Sequence, residues 1–270
     1  LALTFLQWLD AKMADELPAS RDDWDTHWEH YAESAAENPA QRMRHDIIAR
    51  LLYQDAGRKM RVFDLGSGQG DLIVKLRPML PQARFVGAEL SESGVAISQR
   101  KAPDATFLAA DLFQPPPALN EFAGWATHAV CSEVLEHVDD PVAFLKRSQT
   151  YLAPNARLIV TVPGGPMSAF DRHIGHRQHF DRRKISSMLG EAGYLVDRVY
   201  LAGFPFFNLY RLLVIARGKR LASDVESKSG GASSGLAQFA MKLFRVLFHA
   251  NLLDSPFGWQ VIATARKPSS

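Results

Sequence analysis

The segment "VFDLGSGQGDL", Val62–Leu72, decides the fold. A short apolar run reaches Asp64, and Gly66, Gly68 and Gly70 follow with single residues between them before a helical pattern opens. Glycine takes positive φ and lets a ligand approach the backbone closely, so a strand, a glycine loop and a helix in this order form a cradle. The nicotinamide-binding version needs G-x-G-x-x-G, and Asp71 stands where its third glycine would be. An aspartate at the helix start also repels a pyrophosphate. The acid at the strand end, Asp64, suits a cationic group such as the amine of an amino acid.

Working outward, short apolar runs alternate with helical patterns. "ARFVGAEL", "ATFLAADL", "THAVCSE" and "ARLIVTVP" read as buried strands, with "DLIVKLRPML", "SGVAISQRKA" and "PVAFLKRSQTYL" as the helices between them. That alternation predicts an open parallel sheet covered on both faces. Glu89 ends the second strand, 19 residues after Gly70, where a carboxylate can accept from two vicinal ribose hydroxyls. Asp111 ends the third, placed to accept from an exocyclic amine. Each acid alone reads as a cap or turn residue. All three at the carboxyl ends of successive strands mark the edge where open sheets bind ligands.

At this point the chain resembles the class I S-adenosylmethionine-dependent methyltransferases, over roughly Met60 to Tyr200 plus the final strand. The resemblance implies a Rossmann-like α/β fold: a seven-stranded, mostly parallel sheet with an antiparallel last strand. It also implies cofactor contacts at Asp64, Gly66, Ser67, Gly68, Gly70, Glu89, Leu90, Asp111, Leu112 and Glu133.

The fourth strand runs into "CSEVLEHVDDP". Glu133, Glu136 and His137 stand at i, i+3 and i+4, so one helical turn would point all three the same way, a set able to bind a divalent cation. The stretch resembles the one after strand four in ubiquinone-biosynthesis O-methyltransferases. In the small-RNA 2′-O-methyltransferases the same pattern, with a downstream histidine, holds a metal. By that resemblance the metal ligands are Glu133, Glu136, His137 and His176. The alternative is that Glu133 encloses the cofactor while His137 caps or packs.

After the fifth strand comes "DRHIGHRQHF", Asp171–Phe180, expected over the same sheet edge. A solvated polar loop is the plain reading; loop residues above a cofactor site also contact substrate. Methyl transfer from a sulfonium mostly requires positioning, and an aliphatic hydroxyl acceptor also needs a proton removed. His137, His176 and His179 are the candidates for that role, with His173, Arg172 and Arg177 expected at the acceptor; the arginines suit a phosphate or carboxylate.

The bulk properties agree with a globular protein. Of 270 residues, 47% are hydrophobic and 22% charged, and a formal net charge of +2 gives no reason to expect nucleic acid. The single cysteine, Cys131, excludes an internal disulfide and fits a reducing compartment, so a cytoplasmic location is expected. The expected organisation is a helical cap over 1–56, the cofactor-binding core over 57–202, an insertion over 203–256 with a flexible linker at 219–235, and the last strand and tail over 257–270. In the cap, a helix pair is expected to break at Asn38–Pro39. In the insertion, "GFPFFNLYRLLVIA" is apolar and "LAQFAMKLFRVLFHANLL" amphipathic, with Phe239, Leu243, Leu247 and Ala250 expected inward and Lys242, Arg245 and His249 opposite. A lid on the protein's own core is one reading; an apolar acceptor tunnel, or membrane-surface contact through 203–253, is the other. Sequence does not reach the oligomeric state.

The resulting expectation is S-adenosylmethionine-dependent O-methylation of a small, partly apolar or anionic acceptor: quinone-like, saccharide or lipid-linked. C-methylation of a similar acceptor, a nicotinamide-dependent oxidoreductase and a non-catalytic cofactor-binding protein are the alternatives.

Overall fold

The computed structural model describes residues 38–226 and 235–269; the expected structure of 1–37 lies outside them. Asn38 opens helix α1 (Pro39–Tyr53), its side chain accepting from the Ala40 N–H at 2.9 Å, with Pro39 in the first turn where its missing N–H costs nothing. The expected break at Asn38–Pro39 is thus a helix start.

The alternation then runs β1 (Arg61–Leu65), α2 (Asp71–Leu76), β2 (Arg84–Glu89), α3 (Glu92–Lys101), β3 (Thr106–Ala109), β4 (Ala126–Ser132), α4 (Pro141–Ser148) and β5 (Leu152–Pro163). Short α5 (Ala169–His173), α6 (Arg182–Glu191) and β6 (Leu195–Ala202) follow, then the insertion helices α7 (Phe206–Glu226) and α8 (Gly235–Leu247), and finally β7 (Gln260–Arg266). The sheet order is β3-β2-β1-β4-β5-β7-β6, with β7 antiparallel to both its neighbours. This is the fold the resemblance implies, with the helical insertion between β6 and β7 where the sequence placed it.

The period-two alternation of a strand places neighbours in opposite layers. Phe63, Ala129 and Leu158 pack with Leu145, Ile185 and Leu189 on one face. On the other, Val62, Val130 and Ile159 meet Ile48, Leu52, Ile73 and Leu76. A third, smaller cluster docks the insertion on α1 through Met43, Phe207, Phe244 and Phe248.

Two expectations about the insertion change. Helix α7 continues through Glu226, so residues 219–226, expected in the linker, are helical, and 227–234 lie outside the described residues. Phe244 and Phe248 pack, with Leu247 partly buried against their cluster as expected, while Leu243 is 46% exposed, Ala250 is exposed and Arg245, expected opposite, is half-buried; the Phe239 side chain lies outside the described residues. The larger aromatic rings bury more apolar area, which turns the helix away from the expected face.

Candidate active site

The carboxyl ends of β1, β2, β4 and β5 open into one cavity of about 970 Å³, walled also by α1, α5 and α7. Its sheet edge is the glycine loop. Gly66 takes φ 80°, and a Cβ there would lie 2.5 Å from a Val134 methyl, so only glycine fits between β1 and the turn after β4. Gly70 N-caps α2 at φ 77°.

The three strand-tip acids line this cavity as expected. Burial, then the charge of Glu89, raises the Asp64 pKa to about 8. Glu89 holds the loop in shape: it accepts from the Gly68 N–H at 2.8 Å and the Ser91 N–H at 3.1 Å. Asp111 accepts from the Phe113 N–H at 2.8 Å, which closes its turn. Ser67, Leu90 and Leu112 line the same wall, and the Ser67 hydroxyl, buried, has no hydrogen-bond partner among the described residues.

The acids after β4 do not share a helical turn. Glu133 takes φ 57°, the left-handed region, and the chain continues as a non-helical turn. That rotation sends the Glu133 carboxylate toward β5, β7 and α1: it accepts from Thr161 at 3.1 Å and Gln260 at 2.9 Å, with Arg44 at 3.5 Å. Glu133 therefore does not join Glu136 and His137, which correct the expected four-ligand set to three. Glu136, His137 and His176 each present a ligand atom within 4.8 Å of the others, and the rings of His137 and His176 meet edge to face at 4.8 Å. Glu136 is fully buried, and neither carboxylate oxygen has a hydrogen-bond partner among the described residues. Burial, then Glu133, pushes its pKa well above the ordinary carboxylate range.

The histidine loop divides. His176 reaches the cavity, its Nδ1 3.3 Å from His179 Nε2, and His179 Nδ1 lies 3.1 Å from the Gly165 carbonyl. Burial, then His137, lowers the His176 pKa to about 3, and burial lowers that of His179, so both rings are neutral near pH 7. His179 stands behind His176 rather than on the cavity wall. Arg177 lies at the rim, paired with Asp139 at 3.1 Å. Arg172 and His173 are not among the lining residues, because α5 turns them away while Asp171 faces inward.

Several cavity residues carried no local signal. Asp171 is fully buried, closes a capping box with Ser168, and accepts two hydrogen bonds from Arg211 on α7 at 2.9 and 2.8 Å. Arg44 and His45 come from α1, Phe207, Tyr210 and Val214 from α7, and Trp259 and Gln260 from the start of β7. Burial, then Arg44 and Lys75, lowers the His45 pKa to about 3. The "EHV" and "GWQ" residues are chain neighbours of recognisable strand ends; Arg44 and Arg211 reach the site only through tertiary packing.

Comparison with known proteins identifies the family. A family model described as "Methyltransferase domain" matches residues 28–199. A demethylmenaquinone methyltransferase of Thermus thermophilus is 31% identical over 201 residues, 65% of this chain and 87% of that one. A trans-aconitate 2-methyltransferase of Variovorax paradoxus is 27% identical over 208 residues, 73% of this chain and 70% of that one. Among solved structures, geranyl diphosphate C-methyltransferase from Streptomyces coelicolor A3(2) superposes with a TM-score of 0.51 at 14% identity, covering 82% of this chain and 78% of that one.

Proposed function

The chain belongs to the methyltransferase-domain family and is an S-adenosylmethionine-dependent methyltransferase, and from that premise we propose that it methylates a hydroxyl of a small, partly apolar acceptor. The cofactor end falls to the residues of the glycine loop and the strand tips. Asp64 meets the methionine ammonium, Glu89 the ribose and Asp111 the adenine amine. Arg44 from α1, on the cavity wall beside Glu133, is the cation for the methionine carboxylate, a role not expected from the sequence.

The acceptor end is the part of the cavity between Glu136, His137 and His176 on one side and Phe170, Phe207, Tyr210, Val214 and Trp259 on the other. The transfer is an in-line displacement: the acceptor oxygen bonds to the methyl carbon as the carbon–sulfur bond breaks, leaving S-adenosylhomocysteine. The hydroxyl proton needs a recipient. Glu136 carries this reading, because it is a buried carboxyl on the cavity wall whose oxygens have no hydrogen-bond partner among the described residues and whose basicity burial raises. His176, held near 3, suits a neutral hydrogen-bonding role better than that of a strong base. His179 orients His176, and Arg177 is positioned for an anionic substituent at the rim.

A divalent cation also fits these residues, since Glu136 offers unpartnered oxygens and His137 and His176 neutral-capable nitrogens. Glu136, His137 and His176 would hold it, and it would make the acceptor hydroxyl more acidic. C-methylation uses the same base and is the second reading; the chemical shift of a ¹³C-methyl product separates them.

The experiment is incubation of the protein with methyl-labelled cofactor and a metabolite extract fractionated by polarity. Label should enter an apolar or amphiphilic fraction and be lost in Glu136→Gln. Label entering no fraction, or undiminished in Glu136→Gln, contradicts the proposal.

A further inference from the structure

Glu133 holds a backbone conformation that glutamate disfavours. It and Asn155 are the two non-glycine residues at positive φ among the described residues, at 57° and 61°, and of the two side chains asparagine tolerates that region. A glutamate stays there when surrounding contacts fix it, and such positions collect at functional sites.

The contacts at Glu133 run to two strands. Its N–H donates to the Thr161 carbonyl at 2.9 Å, which ties the turn to β5. Its Oε1 accepts from the Thr161 hydroxyl at 3.1 Å and from the Gln260 amide at 2.9 Å. Gln260 is 1% exposed, and its amide also donates to the Val162 carbonyl at 3.0 Å. One carboxylate oxygen is therefore anchored on β5 and β7.

The other oxygen, Oε2, lies 3.5 Å from Arg44 of α1, with the two side chains largely out of water. At that distance the pair is an ion contact rather than a hydrogen bond, so it commits none of the five guanidinium N–H donors. Arg44 makes no side-chain hydrogen bond among the described residues, and it lines the active-site cavity. Its donors are thus available to an anionic group there. A long arginine side chain carries much rotamer entropy, and a fixed charge beside it removes part of that freedom before a ligand arrives. Glu133 also repels an incoming carboxylate. Two donors on one of its oxygens and a guanidinium beside the other disperse that charge, so the ordering of Arg44 outweighs the repulsion.

We propose that Glu133 is a positioning residue: clamped by Thr161 and Gln260, it aims Arg44 at the methionine carboxylate of the cofactor. This deepens the methyltransferase reading and rests on it. It also ties cofactor binding to the insertion, because Gln260 opens β7, the strand on which the chain returns from α8.

The test is calorimetric titration of the full chain with S-adenosylmethionine and with its decarboxylated analogue, which differs by the carboxylate alone. The ratio of the two affinities cancels any effect common to both ligands, such as a loosened fold or a lost attraction for the sulfonium. The wild type should favour S-adenosylmethionine by at least about tenfold. Glu133→Gln keeps an oxygen for Thr161 and Gln260 but removes the charge beside Arg44, and should lower the ratio by about three- to tenfold. Gln260→Leu leaves both charges in place and loosens the clamp, and should lower it by about threefold. Arg44→Met should bring the ratio to about one, and adding Glu133→Gln to it should change nothing further. A ratio that Glu133→Gln leaves unchanged would overturn the proposal, even if both affinities fall together. A ratio that rises would do the same, because Glu133 would then be a competitor for Arg44. A wild type that binds both ligands alike would overturn the role of Arg44 and this proposal with it, whereas one that binds neither would overturn the methyltransferase reading on which both rest.

Discussion

Arg211 on α7 grips the fully buried Asp171 carboxylate with two hydrogen bonds, of 2.9 and 2.8 Å, and so fastens the insertion to the loop that carries the histidines. The same carboxylate accepts from the Ser168 N–H and hydroxyl at 2.7 Å and lies 3.9 Å from His176 Nδ1 and His179 Nε2. Removing one partner leaves a buried charge uncompensated. Arg211→Met should therefore destabilise the protein by about 3–5 kcal/mol in denaturant titration. Hydrogen exchange in Phe206–Ala216 should rise with it.

The same pair fixes a pH dependence. Burial pushes the Asp171 carboxyl up, but the hydrogen bonds and charge of Arg211, with those from Ser168, outweigh it and hold the pKa at about 2. A depressed folded-state pKa means the stabilisation is complete above the unfolded value near ~4 and is lost as pH falls toward about 2. In acid titrations of unfolding, the wild type should lose more stability across that window than Asp171→Asn.

Asp64 gives the opposite sign. Its folded-state pKa is raised to about 8, so near neutral pH the cofactor-free protein carries a proton there that the unfolded chain does not. A cationic ligand that needs the carboxylate must displace this proton, so affinity for S-adenosylmethionine should rise with pH up to about 8, by up to roughly tenfold per pH unit. Asp64→Asn should bind more weakly and flatten that slope. Calorimetry across the range checks both.

If Glu136, His137 and His176 hold a divalent cation, Mn²⁺ or Zn²⁺ should raise the thermal midpoint of the wild type and leave His137→Ala unchanged, because only the folded state presents the three ligands together. Excess chelator should then abolish the shift. Identical midpoints with and without metal would leave Glu136 as the proton acceptor alone.

How much of this was legible in the sequence follows from distance along the chain. The glycine loop, Glu89 and Asp111 each sit at the end of an apolar run, so strand position alone brought them to one edge. Glu133 was misread because helical spacing assumes helical φ and ψ, and its backbone lies at φ 57° instead. Arg44 and Arg211 were missed for another reason: they stand on helices whose contact with the sheet edge is set by the Met43, Phe207, Phe244 and Phe248 cluster. Sequence periodicity finds such a helix but not the side it presents. On α8 it favoured the face with Leu243, whereas Phe244 and Phe248 are the residues that pack.

Glu89 tests the central claim most directly, because it both shapes the glycine loop and stands where the ribose would bind. The measurement is calorimetric titration of S-adenosylhomocysteine into the wild type and Glu89→Ala. The wild type should bind one equivalent, and the variant should lose about 1.4–3 kcal/mol, roughly ten- to a hundredfold in Kd. No heat of binding to the wild type, or an affinity that the substitution leaves unchanged, would contradict the account.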